Sequence, residues 1–104
     1  MRLEFNFART DNTHTLMRRM GYAPDRYFKP AEPSYHRRLT GVPYPQFHVY
    51  VNADETNRLI LNLHLDAKQP SYAGSSAHAG EYDGPVVEEE AERIKAWIEA
   101  ARKV

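Results

Sequence analysis

The 104-residue chain predicts an α+β fold of two layers, an antiparallel sheet with one face covered by a C-terminal helix. Three observations carry this expectation. "QFHVYVN" and "RLILNLHLD" alternate apolar and polar residues on either side of a short polar turn, the pattern of a hairpin with one buried face. From Pro85 onward Val87, Ala91, Ile94, Ile98 and Ala101 recur at helical spacing. The N-terminal "MRLEFNF" alternates as well, so a further half-buried strand precedes the hairpin.

The expected order of elements is β-α-(β)-β-β-α. Leu3, Phe5 and Phe7 mark the buried face of the first strand. "RTDNTHT" offers N-cap candidates, Leu16, Met17 and Met20 form one face of a two-turn helix, and Gly21 follows as its C′ residue. Residues 21–34 contain three prolines and read as an irregular connection. "SYHRRLTG", residues 34–41, is the bracketed strand. In the hairpin, Phe47, Val49, Val51, Leu59, Leu61, Leu63 and Leu65 must share one face, because a slip of one residue flips a whole strand. A three-residue loop, Glu55 to Asn57, satisfies that rule and sets His48 opposite His64 and Tyr50 opposite Asn62. Residues 67–84 then run for about eighteen positions with little to bury. Loops this long are uncommon in compact domains and usually functional or disordered. Tyr72 and Tyr82 offer apolar surface to pin the segment across the His48/His64 face, beside Tyr50 and Ile60. Asp83 or Gly84 caps the last helix and Pro85 takes its first position. Glu88, Glu89, Glu90 and Glu92 suit the positive end of the helix dipole, with Glu89–Arg93 and Glu99–Lys103 as i,i+4 pairs. That glutamate run calls for no functional explanation.

Composition narrows the function. Residues 1–104 suffice for a single domain with one modest core. Apolar residues at 41% and charged residues at 27% are ordinary globular usage, which argues against disorder. The absence of cysteine excludes disulfides, thiolate metal sites and cysteine nucleophiles. No apolar run approaches a membrane span or a signal sequence, so a cytoplasmic protein with no membrane partner is expected. The net charge of zero hides an asymmetry: residues 1–45 hold eight Lys/Arg against four Asp/Glu, and residues 46–104 hold six against ten.

The chemistry concentrates on the polar face of the hairpin. His48, Tyr50, Asn62, His64 and Asp66 leave the same side of the sheet. The 67–84 segment can fold His78, Glu81, Tyr72, Tyr82 and Asp83 over them. His48, His64, His78 and Asp66 are therefore the candidate acid–base groups: histidine carries protons near neutral pH, and a carboxylate on one ring nitrogen fixes the tautomer. Tyr50, Asn62, Tyr72, Glu81, Tyr82 and Asp83 are the candidate ligand-binding groups. The first reading is a polar pocket for a small polar ligand, with hydrolytic chemistry within reach. The same four groups, His48, His64, Asp66 and His78, could instead hold zinc, manganese or iron, although the spacing matches no H-E-x-x-H or H-x-H-x-D-H motif. Ser71, Ser75 and Ser76 lack the G-x-S-x-G elbow of a nucleophilic serine, and Gly74, Gly80 and Gly84 lack the G-K-[ST] of a phosphate loop.

The basic half interleaves Arg18, Arg19, Arg37 and Arg38 with Tyr22, Tyr27, Phe28 and Tyr35, a combination that can grip phosphates and stack bases. "FHVYV" together with "LHLDAKQPSYAGSSAHAGEYDG" resembles segments of a family of small uncharacterised bacterial proteins, over roughly residues 35–95. The order helix, three strands, helix from residue 12 onward is similar to the double-stranded-RNA-binding-like fold of HicA-type mRNA-interferase toxins. Those toxins carry a catalytic histidine after Gly-Ser in the central strand region, where this chain reads Gln46-Phe47-His48. That resemblance implies an RNA-binding or RNA-cleaving module as an alternative function. A structural or partner-binding protein, homo-oligomeric or otherwise, is the third.

Overall fold

A computed structural model describes residues 1–27, 29–67, 80, 81 and 84–104, residues 80 and 81 by their backbone. In chain order the elements are β1 Arg2–Phe5, α1 Thr13–Arg19, β2 Ala23–Pro24, β3 Ser34–Arg38, β4 Gln46–Glu55, β5 Arg58–Asp66, β6 Gly80–Glu81 and α2 Pro85–Ala100. The strands form one antiparallel sheet in the order β1-β5-β4-β3-β2, with β6 also against β5. The α+β class, the antiparallel sheet and the helix-covered face therefore stand as the sequence predicts.

Both helices join one core. Met17 and Met20 of the first helical region meet Val87, Ala91, Ile94 and Ile98 of α2 over Phe47, Val49, Val51, Leu59, Leu61, Leu63 and Leu65. All the odd-numbered residues of the hairpin between Phe47 and Val51 and between Leu59 and Leu65 are buried. Each such side chain contributes on the order of 1.5–3 kcal/mol when removed from water, so this face fixes the strand register. Trp97, at the margin of α2, stays partly exposed.

The ends of α1 follow local rules. Asn12 accepts the Thr15 N–H at 2.8 Å as N-cap. At the other end Tyr22 N–H bonds Met17 O at 2.9 Å and Gly21 N–H bonds Arg18 O at 3.0 Å, a Schellman closure. That closure needs a left-handed residue at Gly21, whose φ is 93°.

Four local expectations change. The hairpin loop is shorter than predicted: Glu55 pairs with Arg58, leaving Thr56 and Asn57 as a two-residue turn. A bulge between Val51 and Ala53 takes up the extra residue, so the pairs His48↔His64 and Tyr50↔Asn62 survive unchanged. Parity is conserved because burial of the leucine face outweighs the preference for one loop length. Second, the 21–34 connection is not wholly irregular, since Ala23 and Pro24 pair with His36 and Tyr35 as an edge strand. An edge position tolerates Pro24, which has no N–H to donate. Third, β3 ends at Arg38, short of residue 41. Fourth, the expected ion pairs of α2 shift by one residue. Arg93 binds Glu90 at 2.8 and 3.0 Å, in place of Glu89, and Glu99 lies 3.8 Å from Arg102, in place of Lys103.

Candidate functional site

The polar face of the sheet carries a row of three histidines. β3, β4 and β5 bring His36 opposite His48 and His48 opposite His64, so three imidazoles from three strands stand side by side. Two carboxylates link them. Asp66 Oδ1 lies 3.0 Å from His64 Nε2, and its Oδ2 lies 3.3 Å from His48 Nδ1. Asp25 Oδ2 lies 2.5 Å from His48 Nε2, and its Oδ1 lies 2.8 Å from His36 Nδ1. The result is a linear array, His64–Asp66–His48–Asp25–His36, in which both nitrogens of the central ring face carboxylates. Tyr50 stacks beside it, its ring centroid 4.5 Å from His48 and 5.5 Å from His64. Asn62, opposite Tyr50, holds its amide oxygen 3.5 Å from the Met1 amino group.

The electrostatics follow from those contacts. Burial by itself lowers the pKa of His48, but hydrogen bonds to Asp25 and Asp66 override it and raise the group to about 9. Burial likewise works to raise both carboxyls. Hydrogen bonds from His48, Ser34 and His36 instead bring Asp25 down to about 2. Those from His48, His64 and Gln46 hold Asp66 well below the ordinary carboxylate range. At neutral pH His48 is therefore an imidazolium between two carboxylates. Among these three groups one negative charge is left uncompensated.

His48, His64 and Asp66 can present one ligand atom each within 4.8 Å of one another, a set able to hold a metal ion. Of the residues the sequence singles out, His48, Tyr50, Asn62, His64 and Asp66 thus meet on one face as expected. Tyr50 is half-buried and Ile60 buried. His78, Tyr72, Tyr82 and Asp83 lie outside the described residues. Glu81 sits on β6, where the backbone of the segment returns to β5 with Gly80 opposite Asp66 and Glu81 opposite Leu65.

Two members of the array escape a reading of the sequence. His36 is within reach of one: once "SYHRR" is accepted as a strand whose Tyr35 faces the core, His36 must face the other way, toward His48. Asp25 carries no comparable signal. It lies in the proline-rich connection and reaches the site only because β2 pairs with β3, fixed further by the Asp25 N–H to Ser34 O bond of 3.0 Å.

A second titratable cluster lies on the helix face. The Glu90 side chain, 2% exposed, accepts Tyr22 Oη at 2.6 Å, Arg37 at 2.9 and 3.2 Å, and Arg93 at 2.8 and 3.0 Å. Arg93 also caps the Met20 carbonyl at 2.7 Å. One member of the glutamate run is accordingly an internal strut between α2, β3 and the end of α1, which a solvated-helix reading of the run does not foresee. The arginines named for nucleic acid divide accordingly. Arg37 is bound to Glu90, Arg19 to Asp11 at 2.7 Å, and Arg18 and Arg38 are exposed.

No family model, no curated protein and no solved structure matches this chain. Among the described residues, no helix is long and apolar enough to cross a membrane.

Proposed function

We propose that the polar face binds a divalent transition metal through His48 Nδ1, His64 Nε2 and one oxygen of Asp66. The observation that carries this reading is their proximity: one ligand atom from each of His48, His64 and Asp66 lies within 4.8 Å of the others, with His48 Nδ1 3.3 Å from Asp66 Oδ2 and His64 Nε2 3.0 Å from Asp66 Oδ1. Metal–ligand bonds of about 2.0–2.1 Å place neighbouring donors about 2.9–3.4 Å apart, depending on coordination geometry. Each imidazole nitrogen already stands at such a separation from an Asp66 oxygen, His48 from Oδ2 and His64 from Oδ1, and a bound ion would draw the three groups together. Charge favours the same outcome. Replacing the His48 proton by a doubly charged ion neutralises the two carboxylates, which the imidazolium alone does not.

Two imidazoles and one carboxylate suit zinc or ferrous iron, and suit oxygen-preferring manganese less well. Three protein ligands leave coordination positions open, the arrangement of catalytic rather than closed structural sites. An ion held by His48, His64 and Asp66 would supply the Lewis acidity on which the hydrolytic reading depends.

Untagged protein, loaded with zinc and passed through a desalting column, should retain close to one equivalent by elemental analysis. His64→Ala should retain almost none. Wild-type protein that keeps no metal under these conditions would refute the reading.

A further inference from the structure

We infer that Asp25 is a positioning residue for the metal, acting through His48, and that His36 holds Asp25 in place. The inference rests on the metal reading above and specifies the protein groups behind the ligands.

Asp25 cannot itself reach an ion on the Asp66 side. The two nitrogens of an imidazole point outward from different edges of the ring, and Asp25 faces Nε2 whereas Asp66 faces Nδ1. An ion on Nδ1 therefore has the whole ring between it and Asp25. What Asp25 does is fix the ring. Its 2.5 Å contact keeps the remaining proton of His48 on Nε2, leaving the Nδ1 lone pair for the metal, and it makes that nitrogen a stronger donor. Metal-binding histidines commonly have such a carboxylate on the far nitrogen, and its loss weakens metal binding about 10–100-fold.

The carboxylate is in turn well anchored. His36 Nδ1 lies 2.8 Å from its other oxygen, Ser34 adds a hydrogen bond, and its own backbone N–H is bound to Ser34 O at 3.0 Å. β2, only Ala23 and Pro24 long, serves chiefly to deliver the next residue to this position. His64 has the opposite polarity, with Nε2 toward Asp66. The two coordinating histidines are thereby assigned different ring nitrogens.

The test is a cobalt(II) titration of full-length wild type, Asp25→Ala, Asp25→Asn, His36→Gln and, as a destabilised control on the opposite face of the sheet, Glu90→Gln. Affinity is read from visible absorption and from competition with a chelator, and folding from circular dichroism of each apo protein. Asp25→Ala should bind cobalt about 10–100-fold more weakly than wild type. Asp25→Asn and His36→Gln should show intermediate losses, and Glu90→Gln none. The bound spectrum of each Asp25 variant should keep its intensity class, because no ligand is lost. Wild-type affinity in a folded Asp25→Ala protein would overturn the inference and leave the metal reading standing. If Asp25→Ala does not fold, wild-type affinity in Asp25→Asn would overturn it equally. Absence of cobalt binding by wild type would remove the metal reading and this inference with it.

Discussion

Carboxylates are held on both faces of the sheet, Glu90 buried and Asp25 and Asp66 half-buried, and the difference between them separates support from chemistry. On the helix face Glu90 is held by two arginines and a tyrosine. On the other face Asp25 and Asp66 are held by three histidines. Hydrogen bonds depress the carboxyl pKa in both places, Glu90 to about 2 and Asp25 to about 2, against burial that works the other way. A depressed carboxyl therefore does not distinguish the two. The partners do. Guanidinium groups keep their protons at every accessible pH and accept nothing. Imidazoles exchange a proton near neutrality and, once neutral, offer a lone pair. The Glu90 cluster can only hold α2 to β3, whereas the Asp66 cluster can trade a proton for an ion.

If that division holds, damage to the helix face should lower stability and spare metal affinity. The largest stability loss is expected from Leu61→Ala, at a fully buried position in the middle of the leucine face. Urea unfolding should show about 3–5 kcal/mol, the usual loss for such a truncation with its residual cavity.

Glu90→Gln should come next, at about 2–3 kcal/mol. Removing the charge leaves two arginines without their counter-ion, at a site whose guanidinium groups are still about one-third exposed. Its pH signature is specific. Because Glu90 has a lower pKa folded (about 2) than its ordinary 4.5, its contribution is complete above pH 4.5 and disappears as pH falls toward 2. The difference in stability between wild type and Glu90→Gln should therefore shrink across that interval. A difference that stays constant down to pH 2 would show that the charge of Glu90 contributes nothing.

A smaller loss, about 1–2 kcal/mol, is expected for Gly21→Ala. The residue has φ of 93°, and an added Cβ would stand 3.3 Å from Arg37 Cδ, so the change presses directly on the Glu90 cluster. Thermal unfolding measures the loss, and cobalt affinity should stay at the wild-type level. A Gly21→Ala protein that binds metal poorly would show that the two faces are coupled.

How much of this is legible in the sequence depends on how local each signal is. The leucine face, the α2 stripe and the Gly21 stop are periodic or turn-specific patterns, and they translate directly into elements. The His48/His64 pairing is also legible, because burial of the odd residues dictates parity whatever the loop does. Even with the loop shortened and the bulge at Asn52, the polar residues from Gln46 to Tyr50 keep their partners. His36 needs one more step, trust in a short strand. Asp25 is not legible, since nothing in "APDRY" announces that its carboxylate will lie between two imidazoles from the two neighbouring strands β3 and β4. Glu90 is obscured by its neighbours: in a run of glutamates only the three-dimensional path of α2 reveals which one turns inward.

The most direct test of a metal site centred on Asp66 compares zinc affinity, by competition titration, in wild type, Asp66→Asn and Glu90→Gln. Asp66 holds the shared position between His48 and His64, whereas Glu90 has a similarly depressed carboxyl and, among the described residues, arginine and tyrosine partners in place of imidazoles. Asp66→Asn should lose at least about 100-fold in affinity, more than the removal of a carboxylate behind the ligands. Glu90→Gln should bind like wild type despite its lower stability. Equal zinc affinity in wild type and Asp66→Asn would contradict the assignment of Asp66 as a ligand, and with it the division of the two faces into support and chemistry.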